Sequence, residues 1–251
     1  MRVQHKLTHA FVRTQFFRVS FLLLAFACLG QISTNDFEKS SLQAVETSAN
    51  SGIAMAQYEL GKRYMAGRGE RGNETNFVLA AEWFFKAADQ GLPIAQHNMG
   101  GLYFTGKYRI PQDYAQAFTW YREAAKQGFT PSQAFLGWAY AKGKGVKEDF
   151  KESIKWYRQA ASLGDPAAQL SLGILYLKGE DLDPDYIEAY KWINIAAAQG
   201  LTNAIQIKRR IGLSMTPEQI AEAQRRARDF STGKESQTGE TNGQADNEDT
   251  R

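Results

Sequence analysis

The chain repeats itself every 36 to 37 residues, and no other feature constrains its fold as tightly. WFFKAADQG at 83–91 returns as WYREAAKQG at 120–128, WYRQAASLG at 156–164 and WINIAAAQG at 192–200. A second fixed glycine, at Gly61, Gly100, Gly137 and Gly173, falls nine residues after each preceding closing glycine. A fixed period of this length marks a solenoid, in which each unit buries its apolar face only by stacking on its neighbours. Such arrays offer extended surfaces to partners.

The unit from Pro131 to Gly164 shows how each repeat is built. Its first half carries Ala134, Gly137 and Ala141 at helical spacing; its second half carries Phe150, Ile154, Tyr157 and Ala161 on one stripe. Both halves read as amphipathic helices of about three turns, so the expected fold class is all-α, a stack of helix-turn-helix repeats. Glycine inside a helix costs roughly 1 kcal/mol relative to alanine. Its return at the same place in four units predicts close approach of the two helices. The recurrent tyrosines (Tyr64, Tyr103, Tyr140, Tyr176) and tryptophans (Trp83, Trp120, Trp156, Trp192) read as core facing those small residues.

Helix ends are also legible. Gly67, Gly106, Gly143 and Gly179 read as C-caps of the first helices. Asn76, Asp113, Asp149 and Asp185 lie seven residues before each tryptophan and read as N-caps of the second. Gln116, Glu152 and Glu188 stand at capping-box spacing from the aspartates. Acids that resemble a repeated site are thus most simply helix starts.

The string QAFLGWAYAKGKGVKEDFKESIKWYRQAASLG follows the pattern AQxxLGxxYxxGxGVxxDxxxAxxWYxxAAxxG and resembles the Sel-one-like repeat family, a relative of the tetratricopeptide repeat. The resemblance implies a right-handed α-solenoid with four units at 53–91, 92–128, 129–164 and 165–200. It also implies an adaptor role, with a protein or peptide partner docked on a concave face lined by first helices. Candidate partner-binding residues are those that vary between units. After the fixed glycine these are Lys62, Gly101, Trp138 and Ile174; three residues before it, Tyr58, His97, Ala134 and Leu170. Trp138 and Tyr58 are the expected anchors, since exposed aromatics dominate binding hot spots.

The array has polar ends. Residues 28–52 read as an N-terminal half-repeat, with Ala44 at the tryptophan position. Residues 201–230 read as a capping hairpin in which Arg209 replaces the fixed glycine, Thr216 is an N-cap, and Ile220, Ala223, Ala227 and Phe230 form the apolar stripe. Residues 231–251, without aromatic or branched aliphatic side chains, read as a disordered polar tail.

Residues 1–27 have the pattern of a secretory signal: Arg2, Lys6, Arg13 and Arg18 without an acid, an apolar run at 19–29, and Ala25-Phe26-Ala27 as a cleavage site. An uncleaved N-terminal anchor is the alternative. Cleavage after Ala27 would leave Cys28 first, open to lipidation, although bulky Phe26 fits a lipoprotein signal poorly. The expected location is the periplasm, with an inner-membrane anchor, a lipoprotein or secretion as alternatives. The chain has 30 basic and 27 acidic residues. Removing the four basic residues of the signal leaves 26 against 27, so no nucleic-acid partner is expected.

Little in the chain proposes chemistry. Without the signal only His97 remains of the histidines, and the repeat array holds no cysteine, so no zinc site of usual spacing and no Cys-His pair can form within it. Gly67–Gly72 matches GxGxxG but follows a helix rather than a strand, so the dinucleotide context is missing. No catalytic residue, cofactor or metal is expected. The favoured function is a non-enzymatic scaffold of the bacterial envelope. The alternatives are a cell-wall hydrolase recognising β-lactam or peptidoglycan, and a lipid-anchored tether of an envelope complex.

Overall fold

The structure is a computed structural model that describes residues 37–67, 76–107, 109–179 and 183–233. The expected signal, Cys28, residues 68–75 of the GxGxxG loop and the tail from 234 lie outside the described residues. Eleven helices occur among the described residues. A lone α1 (Leu42–Asn50) precedes four pairs: α2 (Ala54–Met65) with α3 (Phe77–Asp89), α4 (Pro93–Thr105) with α5 (Tyr114–Lys126), α6 (Thr130–Lys142) with α7 (Phe150–Ser162), and α8 (Pro166–Lys178) with α9 (Tyr186–Ala198). The chain closes with α10 (Thr202–Gly212) and α11 (Pro217–Ser231). From α1 to α10 each helix packs on the next, so the molecule is an all-α solenoid.

The fixed glycines sit where the two helices of a pair touch. A Cβ on Gly137 would come within 2.6 Å of the Tyr157 ring, and one on Gly173 within 2.5 Å of Ile193. Gly61 and Gly100 meet Phe84 and Tyr121 in the same way, each at 2.8 Å. The core partner is therefore the residue after each tryptophan. Trp83, Trp120 and Trp156 are only half-buried, and each packs back on the unit before it, as Trp120 does edge-on to Phe85 at 6.0 Å. Only Trp192 is fully core. The recurrent tyrosines are likewise half-buried, which corrects their reading as core.

Each closing glycine turns the chain into the next unit. At Gly91 (φ 88°) the N–H donates to Ala88 O and the following Leu92 N–H to Ala87 O, a Schellman closure that glycine makes without Cβ strain. The 6→1 bond recurs at Ile53, Phe129, Asp165 and Leu201, so one turn geometry sets every step between units.

The second helices start as expected. Asn76, Asp113, Asp149 and Asp185 each accept a backbone N–H of the first turn. Each also donates its own N–H to the carbonyl of Tyr64, Tyr103, Tyr140 or Tyr176, at 2.9–3.0 Å. The full capping box is not completed at Gln116, Glu152 or Glu188; Glu152 pairs with Lys155 and Glu188 with Arg226. It forms at Thr216, where Gln219 returns a bond of 3.0 Å. Gly106, Gly143 and Gly179 are left-handed C-caps, whereas α2 caps at Ala66, one residue before Gly67.

The two ends depart from the array. Helix α1 starts only at Leu42, after Ser41 caps it, and Arg63 ties the preceding turn down through the carbonyls of Phe37 and Ser40 at 2.7 and 2.8 Å. At the far end α11 packs on α9, with Ala223 and Ala227 buried and Arg226 bound to Glu188 at 2.9 Å. The closing pair is thus not a close-packed hairpin of the kind seen inside the array. Arg209 stands where a hairpin would need glycine.

Candidate functional site: a cleft between repeats three and four

Two of the sequence candidates meet. Trp138 and Ile174 occupy the same register in successive units, so stacking α6 beside α8 sets them along one cleft of about 610 Å³. Phe150 and Tyr157 of α7 also line it, as does Leu175 next to Ile174. Tyr157 is hydrogen-bonded to Ser171, and burial raises its phenol above the usual range. Trp138 is half-buried, with Phe104 and Phe135 each 5.3 Å from its ring. Lys142 and Lys178 are the last residues of α6 and α8 and line the same cleft, as does Glu148, the one acid of the lining among the described residues.

The other candidates do not line it. Tyr58 is 8% exposed and packs 5.6 Å from Phe84, so it is a core residue and not an exposed anchor. Lys62 pairs with Glu59 at 2.9 Å and lies 5.8 Å from the Tyr58 ring. Ala134 is half-buried in the packing around α7, and Leu170 in that around α9.

His97 bridges units rather than facing a groove. Its Nδ1 is 2.8 Å from Ser132 Oγ on the next first helix, and its ring packs edge-on to Tyr121 (5.0 Å) and against Phe129 (5.2 Å). The pair has the composition of a base and a nucleophile. Ser132, however, is 0% exposed inside α6, so no carbonyl carbon can reach its oxygen. Burial lowers the imidazole pKa, which favours the neutral ring. Among the described residues no group of three His, Cys, Asp or Glu side chains is placed to hold a metal.

A glutamine ladder along the inter-repeat edge went unseen in the sequence. Gln57, Gln96, Gln133 and Gln169 are buried, and each Nε2 donates to a helix-end carbonyl of the unit before, at 3.1–3.4 Å. In three units the Oε1 is met by a second glutamine: Gln90 on Gln57, Gln127 on Gln96 and Gln199 on Gln169, at 2.7–2.8 Å. The third unit has Leu163 at that place, 60% exposed, and Gln133 Oε1 is buried without a partner. The signal was available: glutamine recurs four residues before every fixed glycine, and QG closes every unit but SLG. Lys142 and Lys178 could likewise have been found four residues beyond Trp138 and Ile174.

Comparison with known proteins agrees with this architecture. A family model described as Sel1 repeat matches residues 54–92, 93–129, 130–165 and 166–201. The chain is similar to a solved protective antigen of uropathogenic Escherichia coli strains, described as displaying an SLR fold. The two are 40% identical with a TM-score of 0.62, over 66% of this chain and 34% of that one. This chain thus spans about a third of that antigen's length. It is also similar to a Sel1 repeat protein from Oxalobacter formigenes, 30% identical with a TM-score of 0.60, over 78% of this chain and 79% of that one.

Proposed function

The chain belongs to the Sel1 repeat family, whose members are protein-interaction scaffolds, and on that premise we propose that it docks a protein partner in the cleft between α6 and α8. The observation that carries the reading is the convergence of Trp138 and Ile174, two positions that the repeat leaves free to vary, on one cleft. A partner's side chain seated there would gain from desolvated aromatic and aliphatic surface, the chemistry of a binding hot spot. The mechanism is passive docking. Export to the periplasm, from the pattern at residues 1–27, completes the proposal and is checked by the N-terminal mass of the protein recovered from that compartment.

Trp138→Ala is a poor test, because the ring also supports Phe104 and Phe135. Ala141→Trp fills the cleft from a lining position instead. Partners crosslinked in native cells and identified by mass spectrometry should be lost from Ala141→Trp and kept by an outer-face change such as Lys155→Ala. A partner retained by Ala141→Trp with unchanged yield contradicts this surface.

A further inference from the structure

We infer that the edge of repeat three, where Leu163 stands in place of a glutamine, is a second docking site, and that it takes a segment of another protein bringing a planar N–H donor (Asn, Gln or Arg) beside an apolar side chain. The repeats themselves show what fits. In repeat two the amide of Gln127 donates twice, to Gln96 Oε1 at 2.8 Å and to Gly91 O at 2.9 Å. The same register in repeat three holds Gln133 Oε1 and Gly128 O, with Leu163 at the place of the donor. The Gln133 amide is oriented by its other end: Nε2 donates to Ala125 O at 3.4 Å, which leaves Oε1 as the end to be met. Gln133 is 6% exposed and its Oε1 has no partner. Gly128 is exposed, and among the described residues no hydrogen bond reaches its carbonyl. Two acceptors that one amide bridges in the unit before are thus left unbridged here. A buried acceptor without a donor carries a standing desolvation cost, which an arriving N–H recovers on binding.

Leu163 adds the second half of the recognition. At 60% exposure it offers apolar surface to be covered, and its side chain has room to turn off the path that Gln127 takes in repeat two. An occupant matched to all three groups therefore pairs its donor with an aliphatic or aromatic neighbour. The chain's own residues 234–251 include Gln237, Asn242, Gln244 and Asn247 but no aromatic or branched aliphatic side chain, so they bring donors without a cover for Leu163. The site is also separate from the α6–α8 cleft: Gln133 lies in the first turn of α6 and Leu163 caps α7, whereas Trp138, Ala141 and Lys142 line the cleft from the other end of α6.

The test is selection of a random displayed-peptide library on the full chain, followed by binding of the recovered peptides to wild type and variants by fluorescence anisotropy. Leu163→Gln supplies the missing amide from within and restores the pair, so binding lost on it is not lost through unfolding. A class of recovered peptides should place Asn, Gln or Arg adjacent to Leu, Ile, Val, Phe, Tyr or Trp. It should bind Leu163→Gln more weakly by about tenfold or more, as the loss of a buried hydrogen bond does, and bind Ala141→Trp as well as the wild type. These peptides should also shift the side-chain amide resonances of Gln133, assigned by their absence from Gln133→Leu. Peptides that distinguish Leu163→Gln but show no N–H donor preference reduce the site to an apolar contact and overturn the inference. Recovery only of peptides lost on Ala141→Trp and indifferent to Leu163→Gln overturns it while leaving the docking cleft in place. Failure to enrich any peptide also overturns it, provided circular dichroism shows the chain folded.

Discussion

The third repeat and the other three share one backbone plan and differ at their edges. Repeats one, two and four close the inter-repeat edge with a glutamine pair, whereas repeat three leaves Gln133 Oε1 buried and alone beside an exposed Leu163. The same repeat places a tryptophan after the fixed glycine, where the others have Lys62, Gly101 and Ile174. What all four units keep is what the stacking geometry demands: a glycine under an aromatic or aliphatic side chain, a capped second helix, a Schellman turn. What one unit gives up is free to serve a partner or to weaken the array locally. An unpaired buried acceptor forfeits about 1–3 kcal/mol, so the edge of repeat three is the softest seam in the ladder.

This contrast can be broken by substitution. The largest effect is expected where the plan is shared. Gly137→Ala would drive a Cβ into the Tyr157 ring and should cost about 1–3 kcal/mol, read as a lower thermal midpoint by circular dichroism. Gly212→Ala at the end of α10, where the nearest contact is 3.6 Å, should be neutral or raise stability by up to about 1 kcal/mol. Equal losses at the two sites would deny that close approach is why the array keeps its glycines.

Next come the edges themselves. Gln127→Leu copies repeat three into repeat two, strands Gln96 Oε1, and should cost about 1–3 kcal/mol. Leu163→Gln makes the reverse change and should return about 1 kcal/mol. Amide hydrogen exchange near the α7–α8 turn should slow with Leu163→Gln. No change in exchange or midpoint would mean the missing pair is not a weakness.

The smallest effect is a pH dependence. Burial favours the neutral imidazole of His97, so its folded pKa lies below the ordinary histidine value of about 6.5. The unfolded chain then binds the proton more readily, and stability present above pH 6.5 is lost as pH falls through that value toward the folded pKa. His97→Gln should flatten this part of the profile while leaving the acid limb set by carboxylates. A profile unchanged by the substitution would assign the loss elsewhere.

Much of the fold was legible in the sequence because the backbone's needs recur. The caps at Asn76, Asp113, Asp149 and Asp185 and the close approach at Gly61, Gly100, Gly137 and Gly173 are demanded in every unit, so repetition announces them. The site was less so. Tyr58 stands at a position that varies between units yet is core, buried against Phe84 of its own unit, so variation in the repeat does not by itself mark exposure. The buried glutamines went unseen because their partners are carbonyls of another unit. The cleft draws on α6, α7 and α8, and only stacking brings Phe150, Ile174 and the two lysines together. The closing α11 was expected on α10, but Arg209 removes the close approach and the helix packs on α9 instead.

The central claim is that partners bind at the cleft between repeats three and four. A photo-crosslinking residue placed singly at positions 142, 178, 126 and 155 tests it in native cells, since the first two line the cleft and the last two lie on exposed second-helix faces. The account predicts one common partner adduct at 142 and 178 and none at 126 or 155. Adducts at 126 or 155 with none at the cleft would contradict it.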